Sequence, residues 1–291
     1  MKRNILLIVI LVVLIGFLFL KTGFLQLNNV DERDLAHWTY EDGVIQGADS
    51  FSLVGGNETC WLMLHSYRFT PLEMKVLGER LHTEFGDSVR AVGLEGHGEV
   101  PGNLLSLTLD DWYEQVSDEA DDLIRSCDHV NIVGSSLGGS LSIRLAEEKD
   151  LGNVYLVNSY VYLTRKWYYL FRMENSLWLI GDVLHYYKAD WCDGGDICYL
   201  NFVFRPIKNS AGFLEENLDR VSEIDENLLV LHSWADVVAS PLGARDIYAG
   251  ASSEVKELKM FEESRHLLLL DSERAEVADE IISFELEHRG S

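Results

Sequence analysis

The segment Gly-Ser-Ser-Leu-Gly-Gly at residues 134–139 constrains the fold of this chain more than any other feature of its sequence. It directly follows the mostly apolar run 130–133 and directly precedes helix-forming residues at 141–148. In a G-x-S-x-G motif, small residues on either side of the serine allow such a sharp turn from strand to helix that the hydroxyl projects alone. The pattern therefore predicts that Ser136 is a nucleophile at the edge of a sheet, and only Ser136 satisfies it.

Short apolar runs alternate with amphipathic helical patterns along most of the chain. Such runs are typical of strands buried on both faces, and strands that alternate with helices need crossover connections. The sequence therefore predicts an α/β fold with a mostly parallel central sheet flanked by helices. With 291 residues and 47% apolar content, the chain can form one large domain with a small appendage. The predicted strands are 59–65, 88–94, 129–135, 154–157, 228–232 and 255–261, and the predicted helices are 72–85, 110–125, 141–148 and 273–287.

The alternation stops between residues 160 and 222, where aromatic side chains are frequent. A structureless loop of this length is uncommon, so we expect a helical lid inserted before the acid-bearing strand 228–232. Its aromatic side chains would line an apolar pocket for an acyl chain, contact a membrane surface, or simply pack a small subdomain. The expected divisions are 1–27 as membrane anchor or signal, 28–159 as the first part of the core, 160–222 as the lid or cap, and 223–291 as the second part of the core.

Residues 5–20 form an uncharged run of Ile, Leu, Val, Phe and one Gly, with Lys2 and Arg3 before it and Lys21 after it. Such a run has no polar helix face and is typical of a membrane segment. As a helix, its sixteen residues extend about 24 Å, which is short for a bilayer core of about 30 Å. The mostly uncharged residues 22–27 would add length, and no A-x-A cleavage site follows. We therefore expect a single-pass transmembrane anchor, with a cleaved signal peptide as the alternative.

The charges that flank this run predict its orientation. Basic residues precede it, whereas the acidic residues Asp31, Glu32 and Asp34 follow it. Because positively charged flanks remain in the cytoplasm, the N-terminus is expected there. The catalytic domain is then expected on the extracytoplasmic side, with the membrane as a partner.

The overall charge limits the other partners. The formal net charge is −24 at pH 7, whereas binding to nucleic acid needs clustered Lys and Arg for phosphate contacts. The glycine-rich segment 95–98 lacks the G-x-G-x-x-G spacing of a dinucleotide site. We expect neither a nucleic-acid partner nor a nucleotide cofactor.

The four cysteines permit two interpretations. Cys60 and Cys127 flank predicted strands, where a free cysteine behaves as a small buried hydrophobe. Cys192 and Cys198 flank an Asp-Gly-Gly-Asp turn and are expected to form a small disulfide loop if the domain is exported. Zinc is the weaker alternative, because neither a C-x-x-C spacing nor a matching histidine pair is present.

A serine hydroxyl becomes an effective nucleophile when a base lies within hydrogen-bond reach and a carboxylate orients that base. Around a serine elbow the chain order is serine, acid, histidine. Strand 228–232 leads into Asp236, and strand 255–261 leads into His266. Because the carboxyl ends of parallel strands share one edge of the sheet, these side chains are expected to meet over Ser136. The predicted roles are attack by Ser136, proton transfer by His266 and orientation of the imidazole by Asp236.

The predicted base and acid each have rivals. His65 and His97 lie near the same edge, but neither follows the last strand as the predicted base does. Asp225 precedes its strand, and Asp246 lies inside the following helix. The preferred acid is therefore Asp236.

A tetrahedral intermediate also needs two preorganised N–H donors for its oxyanion. The backbone of Leu137, directly after the nucleophile, is the first predicted donor. The second is expected in the loop after strand 59–65, where Tyr67 is our choice. An ordinary strand-to-helix turn is the alternative interpretation of that loop.

Together these motifs resemble the α/β-hydrolase superfamily, and in particular its carboxylesterase and monoacylglycerol lipase branch. The resemblance covers about 59–286 apart from the lid, and it implies ester hydrolysis through an acyl-serine intermediate without a metal or cofactor. Some relatives carry the acid one strand earlier, where this chain has Asn158. The resemblance is carried by Leu-His at 64–65, Pro-Leu-Glu-Met at 71–74, Leu-Gly-Glu-Arg-Leu at 77–81, Leu-Glu-Gly-His-Gly at 94–98, the serine motif at 134–139, Asp-Val-Val at 236–238 and Ser-Arg-His-Leu at 264–267.

Three departures from the family pattern matter. Ser66 stands where relatives usually have glycine, which could crowd the oxyanion loop. Glu226 and Asn227 replace the common proline before the acid-bearing strand. The lid resembles no family that we can place, which leaves the substrate open.

The expected function is hydrolysis of carboxylic acyl esters. The apolar N-terminal run and the aromatic lid favour monoacylglycerols or lysolipids as substrates. Hydrolysis of amides or thioesters on the same triad is an alternative, and so is a non-catalytic hydrolase-like binding or scaffold protein. The complete Ser-Asp-His set argues against the last of these.

Overall fold

A computed structural model describes residues 2–21, 30–162, 182–185, 197–207 and 210–290 of the chain. Helices and strands alternate along most of it. The helices are α1 (Lys2–Lys21), α2 (Arg33–His37), α3 (Lys75–Phe85), α4 (Leu109–Ile124), α5 (Leu137–Glu148), α6 (Ser210–Arg220), α7 (Pro241–Gly250) and α8 (Arg274–His288). The strands are β1 (Tyr40–Glu41), β2 (Val44–Ile45), β3 (Phe51–Leu53), β4 (Gly56–Leu64), β5 (Asp87–Val92), β6 (His129–Ser135), β7 (Val154–Val157), β8 (Val183–His185), β9 (Asn201–Val203), β10 (Leu228–Ser233) and β11 (Lys256–Phe261).

Seven strands form the central sheet, in the order β11-β10-β7-β6-β4-β5-β3. All neighbours pair in parallel except β3, which runs antiparallel to β5 at one edge. The predicted α/β fold with a mostly parallel sheet is confirmed. Since β4, β6, β7, β10 and β11 run in one direction, their carboxyl ends share one edge. The loops that follow these strands meet there.

The sheet is buried on both faces because helices cover each side. One apolar cluster contains Ile132 of β6 together with Trp112 of α4. The other contains the next residue, Val133, together with Trp61 of β4. Successive side chains of a strand point to opposite faces, so a strand between two helical layers is mostly apolar. Val130, Ile132 and Val133 follow this rule, whereas Asn131 is a buried polar residue whose amide donates to Glu285 at 2.8 Å.

Helix α4 illustrates how local sequence determines a boundary. The backbone N–H of Asp111 donates to the Thr108 hydroxyl at 3.3 Å, and the backbone N–H of Thr108 donates to the Asp111 carboxylate at 2.7 Å. This reciprocal arrangement is a capping box, which satisfies two N–H groups that a helix start leaves unpaired. The helix then packs Trp112 and Val116 against the sheet.

The predicted transmembrane anchor is wrong. Within the part of the chain that the structure describes, no helix is both long and apolar enough to cross a membrane. Helix α1 ends at Lys21, and residues 22–27, which were expected to lengthen it, lie outside the described residues. The apolar run 5–20 contains sixteen residues, about 24 Å of helix against a bilayer core of about 30 Å. The expected location rested on this anchor and is wrong as well: the chain is no longer expected to be single-pass, with an extracytoplasmic catalytic domain and the membrane as a partner.

The interpretation of Cys60 and Cys127 as free thiols is also wrong, because a disulfide joins them. Cys60 lies on β4, and Cys127 precedes β6, which is the neighbouring strand. Their Cα atoms are 6.0 Å apart, a separation that disulfides span without distortion. Cys198 is disulfide-bonded as well. Its predicted partner Cys192 lies outside the described residues, so that pairing stays a prediction.

The predicted lid at 160–222 is only partly described. Strands β8 and β9 pair antiparallel within it, and α6 follows them. The aromatic stretches around Trp167, Trp178 and Trp191 lie outside the described residues. The lid and the domain boundaries therefore remain predictions.

Candidate active site

Ser136 joins β6 to α5 in a conformation that few non-glycine residues adopt, with φ of 51° and ψ of −109°. Gly138 is needed beside it, because a Cβ atom there would overlap the carbonyl oxygen of Leu64 on the neighbouring strand. Backbone strain of this kind persists where the surrounding structure enforces it, and it is common at functional sites. The Ser136 hydroxyl thus lies at the carboxyl edge of the sheet.

The structure brings Ser136, His266 and Asp236 together. The Ser136 Oγ lies 2.8 Å from Nε2 of His266, and Nδ1 of His266 lies 2.8 Å from Oδ2 of Asp236. All three side chains are buried. The adjacent parallel strands β10 and β11 deliver the acid and the histidine, as the sequence order predicts.

Backbone donors hold the Asp236 carboxylate in place. Its Oδ1 accepts hydrogen bonds from the N–H groups of Val238 at 2.7 Å and Ala239 at 3.0 Å. This leaves Oδ2 directed at His266. A second buried histidine, His232, has its Nε2 3.5 Å from Oδ2, the outer limit of a hydrogen bond. Burial lowers the pKa of His232 to about 4, so this ring is neutral at pH 7.

The predicted oxyanion donors lie on two segments in contact, the loop after β4 and the turn from β6 to α5. Leu137 is the first residue of α5, and Tyr67 follows Ser66 in the loop after β4. The hydroxyl oxygens of Ser66 and Ser135 are 3.0 Å apart, which joins the two segments. Among the described residues, neither the Tyr67 N–H nor the Leu137 N–H bonds to a protein acceptor. Both groups therefore retain a free hydrogen to donate.

Comparison with known proteins extends this picture. A family model described as serine aminopeptidase, S33, matches residues 201–273, which include Asp236 and His266. A thermostable monoacylglycerol lipase of Bacillus sp. (strain H-257) is 24% identical over 253 residues, covering 85% of this chain and 98% of the relative. A carboxylesterase of Bacillus subtilis (strain 168) is 24% identical over 244 residues, covering 80% and 94%.

Solved structures agree with the sequence relatives. A metagenome-derived lipolytic enzyme superposes with a TM-score of 0.74 at 22% identity, covering 84% of this chain and 100% of that one. The monoacylglycerol lipase of Paleococcus ferrophilus superposes with a TM-score of 0.70 at 18% identity, covering 82% and 98%. The chain has the α/β-hydrolase fold, and in sequence it is similar to lipases and esterases. The resemblance predicted from its motifs is confirmed.

In this hydrolase, Asn158 is a site residue that the sequence did not single out for a role. It follows β7 with φ of 42°, and its Oδ1 accepts the N–H of Ser233 at 2.9 Å. Its Nδ2 donates to the carbonyl oxygens of His266 at 2.7 Å and Arg265 at 3.1 Å. Asn158 therefore joins the end of β10, which leads to Asp236, to the loop that carries His266. An asparagine directly after a buried strand was the available signal, because asparagine tolerates positive φ.

The rival histidines of the hydrolase have structural partners. His65 Nδ1 lies 2.8 Å from the carbonyl oxygen of Ser66, and its Nε2 accepts the N–H of Leu94 at 3.1 Å. This assigns the proton to Nδ1, and burial lowers the pKa of His65 to about 4. His97 is buried against the rings of His65 and Tyr67, and burial lowers its pKa as well. Both rings support the oxyanion loop.

The described part of the predicted lid contacts the loop after β4 directly. The Tyr67 hydroxyl donates to the carbonyl oxygen of Val203, and the Arg68 guanidinium donates to that of Tyr199. The backbone N–H of Tyr199 donates in return to the carbonyl oxygen of Arg68 at 3.2 Å. Asp34, before the core, accepts the N–H groups of Leu200 at 2.6 Å and Asn201 at 3.0 Å. The segment at 197–203 is therefore held between the N-terminal region and the oxyanion loop.

Among the described residues, the side chains of metal-ligand type that group together are Glu257, Glu287 and His288. The two glutamates are exposed. Glu257 lies at the start of β11, at the sheet edge opposite Ser136. This group has no geometric connection with the serine site.

Proposed function

We propose that this hydrolase cleaves carboxylic acyl esters through an acyl-Ser136 intermediate. The observation that carries the proposal is the pair of 2.8 Å contacts that link Ser136 Oγ through His266 to Asp236. The N–H groups of Tyr67 and Leu137, which bond to no acceptor among the described residues, support it. A base, an orienting acid and two donors for developing charge are the parts that acyl transfer requires.

In the first half-reaction, Ser136 Oγ attacks the ester carbonyl carbon while its proton passes to His266 Nε2. The carbonyl oxygen becomes an oxyanion and accepts hydrogen bonds from the Tyr67 and Leu137 N–H groups. Asp236 Oδ2 accepts a hydrogen bond from the Nδ1–H of His266 and stabilises the imidazolium. The intermediate then collapses, the C–O bond to the alcohol breaks, and His266 returns the proton to the leaving alkoxide.

In the second half-reaction, water replaces the alcohol. His266 Nε2 takes a proton from the water as its oxygen attacks the acyl-Ser136 carbonyl. The second tetrahedral intermediate uses the same two N–H donors. Its collapse breaks the bond to Ser136 Oγ, returns the proton to the serine, and releases the carboxylic acid.

For the substrate we propose a monoacylglycerol. The support is that named monoacylglycerol lipases occur among both the sequence relatives and the similar structures, at 98% coverage of the relative in each case. The test compares glycerol monoesters of short and long acyl chains with lysolipids and simple alkyl esters at matched concentrations. A kcat/KM for simple alkyl esters equal to that for glycerol monoesters would contradict this substrate assignment.

Amide hydrolysis is a second candidate. It is favoured by the description of the matched family model as a serine aminopeptidase. The same three side chains would then act, and His266 would protonate the leaving amine. A chromogenic amino-acid anilide separates the two candidates, because the ester proposal expects kcat/KM for the anilide far below that for the matching ester.

Covalent labelling tests the nucleophile. A fluorophosphonate probe is expected to modify Ser136, and Ser136→Ala is expected to abolish labelling and lower kcat about a million-fold. Ser142→Ala is the matched control, since its hydroxyl lies on the same helix and donates to the carbonyl oxygen of Gly138 at 2.8 Å. Folded protein that is neither labelled nor hydrolytic would leave the binding or scaffold interpretation in place.

A further inference from the structure

Glu73 is a buried carboxyl group that the ester mechanism does not use. It lies in the short 3-10 turn Pro71–Met74, directly before α3, and its side chain is 3% exposed. Burying a carboxyl group without compensation is costly. Within the described part of the chain, no lysine or arginine bonds to it. Its compensation comes from the oxyanion loop.

Both carboxyl oxygens of Glu73 contact Ser66. Oε2 accepts the backbone N–H of Ser66 at 2.7 Å, and Oε1 accepts the Ser66 hydroxyl at 2.8 Å. Two bonds to one residue restrict both its position and its rotation. Because Ser66 directly precedes Tyr67, they also restrict the peptide that carries the second proposed oxyanion donor.

The Ser66 hydroxyl extends this network to the elbow. It lies 3.0 Å from the hydroxyl of Ser135, which directly precedes Ser136 and stands two residues before Leu137. The side chain that replaces the usual glycine is therefore directed at Glu73 and Ser135. One continuous set of hydrogen bonds joins the loop with the Tyr67 N–H to the turn with the Leu137 N–H.

The charge of Glu73 is also relevant. Burial raises the pKa of the Glu73 carboxyl, while hydrogen bonds from Ser135 and Ser66 and the nearby His266 favour its charged form. An anionic acceptor makes stronger hydrogen bonds to N–H and O–H groups than a neutral one does. The hydrogen bonds from Ser66 and Ser135 therefore oppose the effect of burial on the Glu73 carboxyl.

We propose that Glu73 is a positioning residue, which holds the Tyr67 N–H in oxyanion-binding geometry through its two hydrogen bonds to Ser66. The Ser66–Ser135 contact sets the separation between the two donor segments. This inference rests on the proposed function, since it requires an oxyanion to be bound. Loss of one oxyanion donor lowers kcat by about 10² to 10³, so a misplaced donor should lose a large part of that factor.

The test compares Glu73→Ala and Glu73→Gln with wild type on one chromogenic ester, and measures the affinity of an alkylboronic acid. The boron atom binds Ser136 Oγ reversibly, so that a boronate oxygen occupies the oxyanion position. We expect Glu73→Ala to lower kcat about 30-fold with KM within about twofold, and boronate affinity to fall by the same factor. Glu73→Gln should recover kcat to within about threefold, because its amide oxygen can accept the Ser66 N–H.

Glu285→Ala is the matched control. Glu285 is an equally buried, hydrogen-bonded carboxyl, but it lies at the opposite end of the sheet. Its loss should lower the melting temperature and leave both kcat and boronate affinity unchanged in folded protein. A merely structural role for Glu73 predicts this same behaviour for Glu73→Ala, and that result would overturn the inference.

A second variant keeps the test decisive if Glu73→Ala does not fold. Ser66→Ala retains the backbone bond to Glu73 but loses both hydroxyl contacts, and it should lower kcat and boronate affinity together by about tenfold. Unchanged values in Ser66→Ala would then reject the inference. Failure of the proposed function is distinguishable, because wild type would then resist fluorophosphonate. If wild type is labelled and the Glu73 and Ser66 variants retain wild-type kcat, the positioning role of Glu73 is rejected while the proposed function stands.

Discussion

Two asparagines flank the same short strand, and they organise opposite ends of the sheet. Asn153 directly precedes β7, whereas Asn158 directly follows it. Both are buried, and both use the amide oxygen as acceptor and the amide nitrogen as donor. They differ only in what they join.

At the amino end, Asn153 belongs to a network centred on Glu285 of α8. Glu285 Oε2 accepts Asn153 Nδ2 at 2.8 Å, Asn131 Nδ2 at 2.8 Å and the Tyr155 hydroxyl at 2.7 Å. Asn227, one of the residues that replace the family's usual proline, donates to Asn153 Oδ1 at 3.0 Å. These bonds join rigid elements, the strands and the last helix, to one another.

At the carboxyl end, Asn158 joins the last residue of β10 to the loop that carries His266. Its amide contacts Ser233 and the backbone of Arg265 and His266. We therefore expect the same chemistry to serve stability at the amino end of the sheet and the geometry of the proposed site at the carboxyl end. Substitutions at the two ends should separate these effects.

The largest effect is expected at Asp236, the proposed acid at the carboxyl edge of the sheet. Asp236→Asn should lower kcat about 10⁴-fold, because the amide can no longer accept the His266 Nδ1 proton while its shape is kept. Steady-state kinetics on a chromogenic ester measures this. Asp225→Asn, at the exposed rival position before β10, should retain wild-type kcat. Equal losses in the two variants would contradict the assignment of Asp236.

The next largest effect is expected at Glu285, whose buried carboxyl group lies at the edge of the sheet where the parallel strands begin. Glu285→Ala leaves three buried donors without their acceptor and should lower the free energy of unfolding by about 3 kcal/mol. Urea denaturation followed by tryptophan fluorescence measures it. We expect kcat of the folded enzyme to stay at the wild-type value. A drop in kcat alongside unchanged stability would show that the two ends are not separated as described.

The asparagine pair gives the most direct form of the comparison. Asn158→Gly keeps the positive φ but removes the amide, and should lower kcat about tenfold because the His266 loop and the end of β10 lose their link. Asn153→Ala should leave kcat unchanged and lower the free energy of unfolding by about 1 to 2 kcal/mol. Parallel kinetics and urea denaturation of both variants are required. If Asn153→Ala lowered kcat as much as Asn158→Gly, the distinction would be lost.

The smallest expected effect depends on pH. Burial raises the pKa of Glu226, in the amino-end turn before β10, to about 7, and its Oε2 has no hydrogen-bond partner within the described residues. Between the ordinary pKa of 4.5 and about 7 the folded chain binds this proton more tightly than the unfolded chain, so stability falls as pH rises through that window. The free energy of unfolding of Glu226→Gln should therefore exceed that of wild type by about 1 to 2 kcal/mol at pH 8, and this difference should vanish below pH 4.5. Unfolding curves at pH 4.5 and pH 8 measure it, with the exposed neighbour variant Glu223→Gln as control; a gain independent of pH would point to another cause.

Much of the fold was accessible from the sequence, because its signals are local. Strand 154–157 was predicted with the boundaries that β7 has, and the predicted strand 129–135 coincides with β6. The order Ser136, Asp236, His266 identified three side chains that the structure brings into hydrogen-bond contact. The apolar run at 5–20 was the failure: it predicted a membrane anchor, whereas no helix of the described residues is both long and apolar enough to cross a membrane.

The residues that hold the loops of the site could not be predicted from the sequence in the same way. Asn158 was noted only for lacking a carboxylate, and Ser66 only as a residue that could crowd the oxyanion loop. Their partners lie elsewhere in the chain, 108 residues away for Asn158 and His266 and 69 for Ser66 and Ser135. The disulfide between Cys60 and Cys127 went unpredicted for the same reason, with a separation of 67 residues.

By itself, the sequence determined the alternation of strands and helices, the sharp turn at Ser136 and the chain order of acid and histidine. These properties depend on neighbouring residues, through backbone sterics and the periodicity of apolar side chains. Only the tertiary structure decided that Glu73 bonds the oxyanion loop, that Asn158 joins the end of β10 to the His266 loop and that Glu285 gathers three donors. Such contacts arise when parallel strands bring distant segments to one edge of the sheet, and no local pattern encodes which side chains meet there.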